Sequence, residues 1–348
     1  MVRLARLFWT AALIVVALGF ALWGGLALYF QAPFGESARI PAALGWAALM
    51  LLIAFELPRR HGRRAAVARR GGHLLLLAGG GTRRPPAARD RGDAGGRART
   101  PEIAGDTLTV RNVRNFDWRS DTDYTPAWED RVYDLRRLEG IDLWSSTWAG
   151  EDIAHILLSF DFGPDTPPLA WSIELRKEKG EVYSALAGFF RQAELVAIAA
   201  DERDVIRVRA TVRDETVRLY RMRANPQRAR AVLQVYVDGA NRLAERPSWY
   251  NTLTTNCTTT VFQIAKAVEP GFPLDWRVLV SGHFAEYAYD RGSLDTTLPF
   301  AELKRGARIN ERALAADREP QPEFSRRLRE GVPNPRAAAL PAAAPAAP

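Results

Sequence analysis

The one cysteine of the 348-residue chain, Cys257, lies in the polar run "WYNTLTTNCTTTVFQI" (residues 249–264), just ahead of an apolar pattern of helical period. A lone thiol forms no internal disulfide, and no pair of histidines stands beside it to complete a metal site. Two readings stay open for it, a buried small hydrophobe or a nucleophile. Thr255 and Asn256 are good helix caps, so Cys257 is expected in the first turn of the helix that carries Val261 and Ile264. Unpaired N–H groups and the positive end of the helix dipole stabilise a thiolate there and lower its pKa.

A nucleophilic cysteine needs a base, normally histidine. Of the four histidines, His61 and His73 fall in a basic stretch near the N-terminus and read as solvated, and His283 in "VSGHFAEYAYDRG" reads as a surface residue. His155 differs, because it interrupts the apolar strand pattern "IAHILLSFDF", where an imidazole must be hydrogen-bonded or functional. If residues 153–162 and 169–176 form a hairpin around "GPDTPP", a symmetric register pairs Phe160 with Leu169 and His155 with Glu174. Glu174 could then orient the imidazole as a third catalytic member, or simply satisfy a half-buried histidine. A slip of one residue would send the two to opposite faces.

The elements that must position these groups are short. "DTLTVRNV", "EDIAHILLSFDFG", "PLAWSIELR", "ELVAIAA", "DVIRVRA" and "TVRLYRM" read as strands, several bounded by Gly, Pro or acidic turn residues. Residues 227–245 carry Ala229, Val232, Leu233, Tyr236, Ala240 and Leu243 at helical spacing, and Val261, Ile264, Ala265 and Val268 repeat the pattern. The expected class is α+β, built mainly on antiparallel strands.

Upstream, "LFWTAALIVVALGFALWGGLALYF" (residues 7–30) holds no charge and is long enough to cross a bilayer, and residues 40–56 form a second apolar run ending at an Arg cluster. Residues 1–60 are therefore expected to be a membrane anchor of two transmembrane helices, followed by a basic Arg/Ala/Gly/Pro linker over 61–105. Residues 59–99 carry twelve Arg against two Asp, so this stretch alone exceeds the net charge of +8 and leaves about −2 for the rest. Such a local excess gives no support to nucleic-acid binding. The positive-inside rule, applied to two spans, puts both ends in the cytoplasm. The only candidate for a third span, "HLLLLAGGG" from His73, is too short.

Six blocks in order, "NVRNFDWRSDTDY", "AHILLSFDFG", "SIELRKEKGEVYS", "ADERDVIRVR", "YNTLTTNCTT" and "YAYDRGSLD", resemble the DUF4105 family, named for the N-terminal periplasmic domain of the lipoprotein N-acyltransferase Lnb. The resemblance covers residues 106–312 and leaves 313–348 as a disordered Pro/Ala-rich tail. It implies a papain-like thiol fold of the permuted NlpC/P60 type, in which the His strand precedes the Cys helix. On that basis Cys257 is the nucleophile, His155 its base, and Glu174 matches an acidic position of the family's S-x-E-x-R block. It also implies a periplasmic domain on the bacterial inner membrane, against the positive-inside count. The chain departs from the family upstream, where relatives have three spans and a distinct junction that residues 61–100 lack.

The expected chemistry is acyl transfer or hydrolysis on a membrane lipid, lipoprotein or cell-envelope substrate, with a cell-wall peptide amidase as a close alternative. No cofactor and no metal is called for, and no oligomeric state follows. The reading from another class is a catalytically silent membrane-tethered binding domain, with "NFDWRSDTDYTPAWEDRVYDL" as its partner surface or simply as a cap on the core.

Overall fold

The computed structural model describes residues 2–31, 36–56, 100–176 and 186–336. The expected linker falls largely outside them, as do His61 and His73. The chain divides into two compact units, one of Met1–Pro86 with Ser184–Gln192 and one of Ala87–Tyr183 with Ala193–Pro348.

In the first unit, helices α1 (Val2–Gln31) and α2 (Glu36–Glu56) pack on each other. The Trp46 indole donates to the Phe20 carbonyl at 3.0 Å. Gly24 permits this approach, since a Cβ there would lie 2.1 Å from the indole nitrogen. Of the two expected spans, only the first, at Phe8–Gln31, is long and apolar enough to cross a membrane; the apolar part of α2, Ser37–Ile53, is shorter.

The second unit is built on strands β1 (Glu102–Ala104), β2 (Thr107–Arg114), β3 (Asp117–Trp118), β4 (Tyr124–Thr125), β5 (Trp128–Asp134), β6 (Gly140–Thr147), β7 (Ala154–Asp161), β8 (Leu169–Arg176), β9 (Glu194–Asp201) and β10 (Thr216–Arg221). Its helices are α3 (Glu202–Val205), α4 (Pro226–Glu245), α5 (Cys257–Val268), α6 (Phe284–Asp290), α7 (Phe300–Gly306), α8 (Asn310–Ala315) and α9 (Glu323–Arg329). The main sheet runs β1-β2-β9-β8-β7-β6-β10, with β5 also on β2, while β3 and β4 pair separately. Neighbours are antiparallel except β2 and β9, which meet in parallel at Arg114 and Ala200. The unit is thus α+β with a mixed sheet.

Strand alternation gives the sheet two apolar faces. Ala154, Ile156, Leu158 and Phe160 of β7 join Leu233, Tyr236, Val261 and Phe262 of α4 and α5 in one cluster. Leu157 of β7 joins Trp144, Ala170, Ile198, Ile206, Ile309 and Phe324 in the other. Each Leu, Ile, Val or Phe among these contributes about 1.5–3 kcal/mol on full burial.

Two expectations are corrected here. Residues 204–210, which alternate like a strand, are helical: α3 is followed by a π-helical turn at Val208–Val212. Asp201 caps this segment by accepting from the Arg203 N–H at 2.7 Å. Asp204, fully buried, then accepts from the Arg114 guanidinium, the Phe116 N–H and the Trp118 indole at 2.8–2.9 Å, so the polar residues of the pattern are used internally. Nor is the chain a tail from 313 onward, because it remains folded to residue 336. Phe324 and Leu328 lie one turn apart and bury one face of α9, and Val332 is buried just beyond the helix end, a pattern that the surrounding arginines disguise in the composition.

Candidate active site

The polar run before Cys257 is consumed by turn and cap hydrogen bonds. Asn251 and Thr255 bond each other through their backbones, and Asn251 Oδ1 accepts from the N–H groups of Leu253 and Thr254 at 3.0 and 2.9 Å. Asn256 then caps α5 reciprocally: its side chain accepts from the Thr259 N–H, and Thr259 Oγ1 accepts from the Asn256 N–H, both at 2.9 Å. Cys257 is consequently the first residue of the helix, as expected.

The hairpin of β7 and β8 has the expected register over Leu157–Phe160, but the expected cross-strand pairing of His155 with Glu174 is not made. Phe160 pairs with Leu169 and Leu157 with Ser172, and there the ladder stops. Beyond that point β7 stays paired to β6 and β8 to β9, so the two strands part where Cys257 meets them. Cys257 is 7% exposed, and its thiol is approached by the imidazole of His155, the backbone N–H of Ile156 and the hydroxyl of Thr258 at 3.7 Å.

His155 Nε2 lies 2.8 Å from Ser172 Oγ and 3.2 Å from Glu174 Oε1. Ser172 Oγ donates to Glu174 Oε1 at 2.7 Å, so its lone pair is left to accept from His155 Nε2–H. Nε2 is thereby committed to the carboxylate side, and Nδ1 is the ring nitrogen available to the thiol. Arg209 Nη2 also donates to Glu174 Oε1, at 2.8 Å. The structure therefore brings Cys257, His155 and Glu174 together, and adds Ser172 and Arg209.

The electrostatics follow from these neighbours. Burial works against the imidazolium, but the Glu174 carboxylate and the Cys257 thiolate outweigh it and raise the His155 pKa to about 9. Burial likewise works against the thiolate, yet His155 together with the Ile156 N–H and Thr258 lowers the Cys257 pKa below its ordinary value. Burial disfavours the Glu174 carboxylate too, but His155 and Arg209 hold it well below the usual carboxylate range. Beneath the site, Tyr236 has its hydroxyl pKa raised, by burial and then by the charge of Cys257. The combination favours a thiolate–imidazolium pair at neutral pH.

Residues 124–282 match the family model of the Lnb N-terminal periplasmic domain. This is the family that the six sequence blocks resemble, and the matched segment contains His155, Glu174 and Cys257. No curated protein and no solved structure matches the chain.

His283, the other histidine among the described residues, serves elsewhere. Its Nε2 lies 3.0 Å from Asp152 and its Nδ1 3.4 Å from Glu286. The adjoining Gly282 N–H bonds the Asp152 carbonyl and Ser281 Oγ accepts from the Ala154 N–H at 2.8 Å, which fastens this segment to the start of β7. Among the described residues no cluster of His, Cys, Asp and Glu has the makings of a metal site.

Sequence reading did not single out Ser172 or Arg209. Ser172 could have been found, since it lies two residues before Glu174 on the same face of β8. Arg209 could not, because its segment reads as a strand.

Proposed function

We propose that the chain is a membrane-anchored thiol enzyme that performs acyl transfer or hydrolysis through Cys257 and His155, with Glu174 orienting the imidazole. The observation that carries this reading is the thiol at a capped helix start, beside an imidazole whose far nitrogen is held by Ser172 and Glu174. A His strand ahead of a Cys helix also fits a papain-like, permuted NlpC/P60-type fold, with a domain over about residues 106–312. The family description and the apolar helix at Phe8–Gln31 support a domain in the periplasm, tethered to the inner membrane.

The reaction needs no other group. The Cys257 thiolate attacks a carbonyl carbon, forming a C–S bond and an oxyanion that the free N–H groups of the first turn of α5 stabilise. Collapse of the intermediate breaks the bond to the leaving oxygen or nitrogen, which takes its proton from the His155 imidazolium and leaves a thioester. An amine or water then attacks the thioester and gives its proton to His155, and the thiolate departs. An amine acceptor completes transfer and water completes hydrolysis. A tethered site favours a lipid or lipoprotein acyl donor, and a cell-wall peptide amide fits the same steps.

One observation favours the silent binding domain, namely the burial of Cys257, which is only 7% exposed. The aromatic segment does not add to that reading, since Phe116 and Trp118 are buried in a cluster with Val208, packed against Tyr124 and Trp128. Labelling of the detergent-solubilised protein with lipid-like and peptide-like electrophiles separates the two readings. The enzyme predicts labelling confined to Cys257 in the folded state, lost in Cys257→Ala. Labelling that occurs only after unfolding contradicts it.

A further inference from the structure

Glu174 has no backbone pairing to hold it opposite His155, because the β7–β8 ladder ends at Leu157 and Ser172. Its side chain is 25% exposed, so a solvated rotamer pointing away from the imidazole competes with the observed one. What restrains it is a set of side chains, and the most enclosed of its charged partners is Arg209, 5% exposed.

Arg209 is itself anchored at several points. Its Nη1 donates to the Val205 carbonyl at 2.8 Å, and its Nε lies 3.9 Å from Glu215 Oε2. Glu215 Oε2 in turn accepts from Ser146 Oγ at 2.5 Å, and Ser146 is the cross-strand partner of His155 on β6. The guanidinium therefore reaches from Glu174 on β8 to a carboxylate held by the strand on the other side of His155. The charged and titratable groups around the imidazole are Glu174 from β8, Cys257 from α5 and Arg209 from the π-helical turn, with Glu215 and Arg213 behind it. π-helical turns are frequent at functional sites, and this one places an arginine under the candidate site.

A positive charge near an imidazolium counts against that imidazolium, so electrostatics alone gives Arg209 no use here. We propose that Arg209 is a positioning residue, which holds the Glu174 carboxylate in the rotamer that orients His155. This deepens the thiol-enzyme reading and rests on it for its functional meaning, while the Arg209–Glu174–His155 coupling can be measured without any substrate.

The two roles of a nearby arginine have opposite signs. If Arg209 acts only by its charge, its removal raises the His155 titration midpoint. If it positions Glu174, its removal frees the carboxylate and the midpoint falls. The test is NMR titration of ring-labelled histidine in the full-length solubilised protein, with the His155 signal assigned by its loss in His155→Asn. Arg209→Met is expected to lower the midpoint by about one pH unit or more, the usual effect of losing an opposite charge at contact distance. Arg209→Lys keeps the charge without the planar fork and should fall in between. An unchanged or higher midpoint in Arg209→Met overturns the proposal. Should that variant fail to fold, judged by its melting curve, a midpoint in Arg209→Lys at or above wild type overturns it equally. Iodoacetamide rates for Cys257 on the same samples separate the two levels. An ordinary wild-type thiol with a lowered midpoint in Arg209→Met sinks the enzyme reading and leaves the positioning role standing.

Discussion

Burial penalises a thiolate and an imidazolium separately, whereas placed together each offsets the cost of the other. The folded His155 pKa of about 9 lies above the ordinary 6.5, so the imidazolium's contribution to stability is fully present below 6.5 and is lost as pH rises through about 9. Glu174 behaves differently. Its folded pKa lies well below the ordinary 4.5, so its contribution is fully present above 4.5 and is lost as pH falls through the folded value. Glu174→Gln should therefore melt at a lower temperature than wild type near neutrality and show a shallower fall on acidification below 4.5, by differential scanning calorimetry against pH. If Glu174 orients His155, the same variant should lose less activity than Cys257→Ala, since members of a triad contribute unequally. Parallel melting profiles would show that the carboxylate is not engaged as described.

At the scale of elements, the site depends on a capped helix start meeting the place where two strands part. Both were partly legible. The helix start could be read from Asn256, whose type fits a cap, and the hairpin from the symmetric spacing of Phe160 and Leu169 about a Pro/Gly turn. Strands β5 and β6 were not read, because β6 is buried along its whole length and Asp142, Ser145 and Ser146 interrupt its apolar residues. Asp142 is accommodated there only by Arg221, Arg329 and Arg336, two of which come from the last described residues of the chain. Such long-range ion pairing leaves no local periodicity to find. Removing the cap tests the element directly: Asn256→Ala should cost about 0.5–2 kcal/mol in denaturant unfolding and raise the thiol pKa, because the first turn that supports the thiolate frays. Lost stability with an unmoved alkylation profile would mean that the helix start does not support the thiolate.

For the whole molecule, the family match and the positive-inside count point to opposite sides of the membrane. Two spans with basic residues outside both would keep the domain in the cytoplasm, whereas the matched family is described as periplasmic. A phosphatase reporter fused after Pro348 is expected to be active, with a green fluorescent reporter dark at the same junction; the reverse pattern would place the domain in the cytoplasm. The composition was legible at one point and misleading at another. The basic excess of residues 59–99 dominates the net charge but could be set apart by position, whereas the arginines around Phe324 and Leu328 conceal the buried face of α9.

The central claim is that His155 activates Cys257, and the most direct measurement is the pH dependence of Cys257 alkylation by iodoacetamide in wild type and His155→Ala, with melting curves on both. The account predicts a wild-type midpoint well below the ordinary thiol value of about 8.5, moved up toward that value in His155→Ala while the fold is retained. A wild-type midpoint at or above about 8.5, or an unchanged profile in His155→Ala together with a large loss of melting temperature, would show that both are core residues and contradict the claim.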